Sequence, residues 1–196
     1  MRLLIVYCHP VEGSFVSAVR DAVLEGAREA GHEIRLTDLY AENFQPVMSC
    51  DERIGYHEEP TNQTPVAAHL DNIRWAEGIL FVYPTWWYGQ PAMLKGWLDR
   101  VFVPGVAFTM PTESQGIGPG LTHLRFVGVT TTLGSSWWLW RFMGQPGRRI
   151  ILRGLRACCG ANCRTLWMGL HSMDTVSEPR RRDYLVRVRR RIARLR

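Results

Sequence analysis

Apolar runs and helically periodic segments alternate along the whole chain. Residues 2–7 (RLLIVY) and 78–83 (GILFVY) are near-continuous apolar runs, the pattern of strands buried on both faces of a sheet. Residues 32–37, 124–130 and 163–170 predict three more strands. Helical segments fill the gaps. Ser14 stands where a cap belongs, and Ala18, Ala22, Leu24 and Ala27 form an apolar stripe that stops near Gly31. Residues 64–75 predict a helix with Pro65 in its first turn, and 91–102 an amphipathic one. Residues 136–158 predict a helix or helix pair interrupted around Gly144, Pro146 and Gly147, and 179–194 the last helix. Residues 40–63, with Pro46 and Pro60, predict irregular chain with only short helical turns.

Five strands separated by helices predict an α/β fold. Crossovers of this length give a parallel sheet with helices on both faces, a three-layer α/β/α arrangement, here as one domain over residues 1–196. For five strands the flavodoxin-like order 2-1-3-4-5 leads, and ligands then bind beyond the carboxyl ends of the strands. That singles out the loops at 8–15, 84–90 and 131–136.

In the first loop (CHPVEGSF), a helix N-terminus with Ser14 and His9 suits an anion, although Ser14 is equally a plain cap. It matches neither a dinucleotide fingerprint nor a P-loop. In the second, Trp86, Trp87 and Tyr88 follow one another; three large rings cannot all face a core, and together they suit a flat conjugated ligand. In the third (TTTLGSS), small hydrogen-bonding residues and one glycine allow close backbone approach; a capping loop is the alternative.

Composition and charge add four points. With 46% hydrophobic and 21% charged residues the chain has the balance of a soluble enzyme. No apolar run nears the roughly 20 residues that cross a bilayer, and the N-terminal run is too short for a signal-peptide core, so a cytoplasmic protein without membrane insertion is expected. Five cysteines without a C-x-x-C argue against a disulfide framework or a zinc site. The net charge of +6 is uneven: residues 1–140 carry 9 Lys/Arg against 15 Asp/Glu, and residues 141–196 carry 15 Arg against 3 Asp/Glu. Such a tail suits nucleic acid or an acidic membrane surface, but Leu185, Val188, Ile192 and Leu195 recur at helical steps and leave the arginines on a solvated face, so no nucleic-acid partner is expected.

HPVEGSF at 9–15 followed by YPTWWYGQPAMLKGWLDRVF at 83–102 closely resembles the flavodoxin-like NAD(P)H:quinone oxidoreductases of the DT-diaphorase type. The likeness continues through TTLG at 131–134 and the stretch at 150–171. It implies a bound flavin, FAD with FMN as the alternative, and NAD(P)H as hydride donor. It also implies a quinone or similar acceptor and a homodimer with sites at the subunit interface. Under it, His9, Ser14, Phe15 and Val16 line the flavin's phosphate side. Pro84, Thr85, Trp86, Trp87 and Tyr88 border the ring system, and Thr131, Thr132, Leu133 and Gly134 meet its pyrimidine edge. Trp137, Trp138 and Trp140 form the substrate rim or the dimer contact. Relatives of the same fold include azoreductases and ancillary subunits of glutathione-gated potassium efflux systems, so azo or nitro reduction and a membrane-transporter partner are the alternatives. One departure stands out. The Tyr and His that DT-diaphorases carry after the third loop fall here at Leu139 and near Met143.

Overall fold

Parallel strand pairing organises the computed structural model, which describes residues 1–196. In chain order the elements are β1 (Arg2–Tyr7), α1 (Phe15–Glu29), β2 (Glu33–Asp38), α2 (Cys50–Ile54), α3 (Ala67–Trp75), β3 (Gly78–Thr85) and α4 (Ala92–Val101). They continue with β4 (Phe108–Thr109), β5 (Gly118–Pro119), β6 (Phe126–Leu133), α5 (Trp137–Phe142), α6 (Pro146–Arg149), β7 (Arg164–Leu170) and α7 (Glu178–Ile192). The main sheet runs β2-β1-β3-β6-β7, all parallel, which is the expected 2-1-3-4-5 order. β4 and β5 form a separate antiparallel ribbon that the hydrophobic pattern does not announce.

The sheet divides the core in two. On one face α1 and α7 cover Leu3, Ile5, Leu80 and Phe126 with Val16, Val19, Val23, Tyr184, Val188 and Ile192. Their approach is close: a Cβ on Gly26 of α1 would lie 2.4 Å from the Arg189 carbonyl oxygen of α7. On the other face α3, α4 and residues 150–155 cover Leu4, Val6, Ile79, Phe81, Val127 and Val129, with Trp97 wholly buried at the centre. The same logic explains the glycine in the α4 sequence LKGW. A Cβ on Gly96 would lie 2.1 Å from the Pro46 carbonyl oxygen, so a bare backbone is what lets the irregular 40–60 segment rest on α4.

Several boundaries differ from the sequence reading for identifiable reasons. α1 is capped by Ser14, whose Oγ accepts from the Ser17 N–H at 3.2 Å, as expected. Its buried stripe keeps the expected Ala22 and Ala27 and adds Val16, Val19 and Val23, with Ala18 and Leu24 half-buried at the margin. The helix expected at 64–75 starts at Ala67, because Thr61–Val66, with Pro65 inside it, winds as a 3₁₀-helix. Residues 136–158 divide into α5, α6 and a π-helical Ile150–Leu155, separated by left-handed Gly144 and Gln145. Pro84 and Thr85, and likewise Thr131, Thr132 and Leu133, belong to strands and not to loops, because β3 and β6 keep pairing up to Thr85↔Leu133.

Arg100 ties the irregular segment down: its Nε donates to Glu52 Oε1 at 2.9 Å, and a terminal amine donates to the Gln45 carbonyl. Burial raises the Glu52 pKa, but the Ser49 N–H and the Arg100 guanidinium outweigh it and hold the carboxyl below its usual range. A depressed folded pKa gives stability above the unfolded value of about 4.3 and loses it as pH falls through the folded value. Glu52→Gln is expected to destabilise by about 1 kcal/mol at neutral pH, and the difference is expected to fade in acid. Urea midpoints of both proteins measured from neutral to acid pH check this.

Candidate active site

A cleft of about 550 Å³ opens beyond the carboxyl ends of β3 and β6. Pro84, Thr85, Trp86, Trp87 and Tyr88 form one wall, and Thr132, Gly134, Ser135, Met173 and Asp174 the other. The two strands are tied at its base by Thr85 Oγ1 and Thr131 Oγ1, 2.9 Å apart.

The aromatic wall is a tight turn. The Gly89 N–H donates to the Trp86 carbonyl at 2.9 Å, and the two residues between, Trp87 and Tyr88, sit at φ of 49° and 62°. Two consecutive positive φ values are the type I′ pattern, which ordinarily selects Asn-Gly. Each such value costs a bulky residue about 1–2 kcal/mol. Trp87 is 95% exposed, so burial does not offset the cost. The turn is held from below: the Gly147 N–H donates to the Tyr88 carbonyl at 3.0 Å, and Gln90 Nε2 donates to the Gly147 carbonyl at 2.8 Å. Strain kept by surrounding bonds, with an exposed indole at its tip, is characteristic of a binding loop.

Beside this wall lies the start of α1. Ser14 satisfies the Ser17 N–H, while the N–H groups of Phe15 and Val16 have no acceptor within the protein and lie at the positive end of the helix dipole. The Val11 N–H donates to His9 Nδ1 at 3.1 Å, and the His9 ring centroid lies 6.3 Å from that of Trp86. Below the cleft, Tyr184 Oη reaches the carbonyls of Met168 (2.9 Å) and Thr131 (3.2 Å), joining β7 and β6. Burial pushes its pKa, and that of Tyr83, well up, so both stay protonated.

The structure brings Pro84, Thr85, Trp86, Trp87, Tyr88, Thr132 and Gly134 together around the cleft. Other candidates point elsewhere. The Val16 side chain packs in the core with α7, leaving only its backbone N–H toward the loop. All of β6 is buried, and of its last three residues only Thr132 lines the cleft; Thr131 and Leu133 point to the other face. Trp140 is buried and stacks on Trp167 at 5.4 Å with His171 against its other side, so it is a packing residue and not a rim. Trp137 and Trp138 are exposed on α5 but lie outside the cleft lining. Ser135, within the third loop, also lines the cleft, and Met173 and Asp174 line it from a loop the sequence pattern did not single out. Backbone bonds from Ser172 to Ser135 (3.1 Å) and from Met173 to Leu133 (3.0 Å) draw their loop in, with Ser172 left-handed. The signal was available, since the loop after the fifth strand also leaves the carboxyl edge of the sheet.

Strand order and a cleft beyond the carboxyl ends of the strands together define a flavodoxin-like α/β protein. The chain belongs to the flavodoxin-like fold family, whose model matches residues 1–162. It is 32% identical over 162 residues to the rat NAD(P)H dehydrogenase [quinone] 1, an alignment covering 74% of this chain and 58% of that one. It is 32% identical over 170 residues to an uncharacterised NAD(P)H oxidoreductase of Haemophilus influenzae, covering 82% and 79%. Against the first relatives it matches, the chain spans only about half to three-fifths of their length. Among solved structures, the NAD(P)H:quinone oxidoreductase of Methanothermobacter marburgensis superposes with a TM-score of 0.85 at 27% identity, covering 100% of this chain and 99% of that one.

Gly147 tests how the wall is supported. An added Cβ would lie 3.0 Å from the Tyr88 carbonyl oxygen and 3.2 Å from Gly89 Cα. Gly147→Ala is expected to cost about 1–3 kcal/mol and to shift the turn, read as a lower melting temperature with an altered tryptophan emission spectrum.

Proposed function

We propose that the protein is a flavin-dependent NAD(P)H dehydrogenase that reduces quinones or similar flat acceptors. The observation that carries this reading is the strained aromatic turn of Trp86, Trp87 and Tyr88 facing Thr132 and Gly134 across an open cleft. The names and likeness of the rat and archaeal relatives support it. The residues present fit a flavin: aromatic walls suit its ring, Gly134 leaves its edge room for backbone contact, and the free N–H groups at α1 suit a phosphate. The resemblance in the first loop and in α4 favours FAD, while a related fold from Treponema denticola was solved with FMN.

A bound flavin supplies two-electron hydride acceptance and donation at its N5. Trp86, Trp87 and Tyr88 border the ring on one side and define a slot wide enough for one planar partner at a time. Phe15 and Val16 N–H groups, with Ser14 and His9, hold the phosphate end. Thr132 and Gly134 hold the pyrimidine edge, where backbone N–H groups stabilise negative charge. Leu139 and Met143 lie outside the cleft lining and supply no proton donor to it; the one carboxyl in the lining is that of Asp174, beside Gly134. The nicotinamide and the acceptor use the slot in turn.

A second copy of the chain covers the exposed face of α5. Phe142 is 85% and Trp138 75% exposed, with Trp137, Leu139 and Met143 beside them, more apolar surface than a lone subunit usually shows.

Two outcomes are expected. Purified protein is yellow, and its double-reciprocal plots with NADPH and a soluble quinone are parallel; intersecting lines would contradict shared use of one slot. Phe142→Glu is expected to shift the protein from dimer to monomer in light scattering, with its melting temperature little changed if the face is an interface and not core.

A further inference from the structure

The groove between α7 and the sheet edge has no part in the cleft. Strand β7 ends the sheet, and α7 lies along it. Arg187, Arg190 and Arg191 stand at i, i+3 and i+4 on one face of that helix, and Arg194 follows in the turn just past its last residue, Ile192. They wall a groove of about 460 Å³ whose floor is Leu166, Trp167 and Met168 of β7. Arg187 and Arg190 are shared with a second hollow of about 380 Å³ that extends toward the start of the helix and adds Arg180, Val186 and the stripe's single acid, Asp183.

None of these five arginines makes an ion pair, whereas the neighbours that turn away from the stripe do: Arg182 with Glu178, and Arg189 with Glu25 and Glu29. Like charges at i, i+3 and i, i+4 oppose helix formation. The helix dipole rewards cations in the last turn only, which accounts for Arg190 and Arg191 but not for Arg180 or Arg187. A stripe of repelling charges kept over about 20 Å of helix calls for an external counter-charge.

We propose that this face docks on the surface of an anionic phospholipid membrane. Charge complementarity carries the assignment. The arginines form a row tangent to the molecular surface, matching a plane of headgroup phosphates, while the remaining surface from residues 1–140 has an excess of acid and orients the stripe toward the bilayer. The groove floor is apolar, and exposed Val186 adds apolar surface to the second hollow, the combination of an interfacial helix. A single-stranded nucleic acid would add aromatic rings for base stacking, and the ring nearest this groove, Trp167, packs on the opposite face of the sheet, stacked on Trp140. The inference rests on α7 and β7 alone and stands or falls separately from the flavin reading.

The test is flotation of the full-length protein with vesicles of phosphatidylcholine alone or mixed with phosphatidylglycerol, at low and high salt. The protein is expected to float with the anionic vesicles only, and raised salt is expected to release it. The quadruple variant R187Q/R190Q/R191Q/R194Q is expected to bind at least about tenfold more weakly. A charge-matched control, R28Q/R53Q/R125Q/R153Q, is expected to keep most of the binding. Melting temperatures and circular dichroism show that both variants fold. Failure of the native protein to float with anionic vesicles would overturn the proposal. So would equal loss in the control, which would assign binding to net charge, or tighter stripe-dependent binding to duplex DNA than to vesicles.

Discussion

From Gly78↔Phe126 to Thr85↔Leu133, β3 and β6 pair over eight residues, while β1 pairs with β3 over only five. The two strands therefore run on past β1, and β7 follows β6 on the other side as far as Thr132↔Leu170. Everything at the site hangs from that extension. It places Thr85 beside Thr131, brings Thr132 to the cleft lining, and launches the aromatic turn and the Gly134 loop from adjacent positions at one height. From α7, Tyr184 ties β6 to its other neighbour by reaching backbone carbonyls of β6 and β7, which links that helical layer to the strands below the cleft.

The aromatic turn is the place where local preference loses to architecture. A two-residue turn with both φ values positive would be easiest with Asn-Gly, yet Trp87 and Tyr88 occupy it. Bonds from Gly147 and Gln90 hold the turn in place, so the strain resides in the wall that faces the cleft and not in the core. A wall fixed before any ligand arrives spends less binding free energy on ordering, and this is the physical sense in which the site is pre-organised.

Much of this was legible from residues. RLLIVY and GILFVY could only be strands buried on both faces, and alternation with helices left few topologies, so the sheet order followed. The position of Ser14 gave the α1 cap. What escaped was set by long-range pairing. Nothing local in TTTL distinguishes a loop from the end of a strand; the register with β3 decides it, and then alternation points Thr131 and Leu133 to the other face. Trp140 belonged by sequence to an aromatic cluster with Trp137 and Trp138, but helical geometry turned it inward against Trp167 while the other two stayed out. Asp174 and Met173 reach the cleft through backbone bonds to Leu133 and Ser135, which no spacing in the sequence records.

The central claim is that Trp86, Trp87 and Tyr88 wall a slot for a flat flavin ring. Titration of flavin-stripped protein with FAD or FMN, followed by tryptophan emission, tests it most directly, because Trp86 and Trp87 would lie against the added ring. The account predicts saturable quenching at one flavin per chain, with the quenching sharply reduced in Trp86→Phe/Trp87→Phe. Emission unchanged by either flavin in the native protein would contradict it.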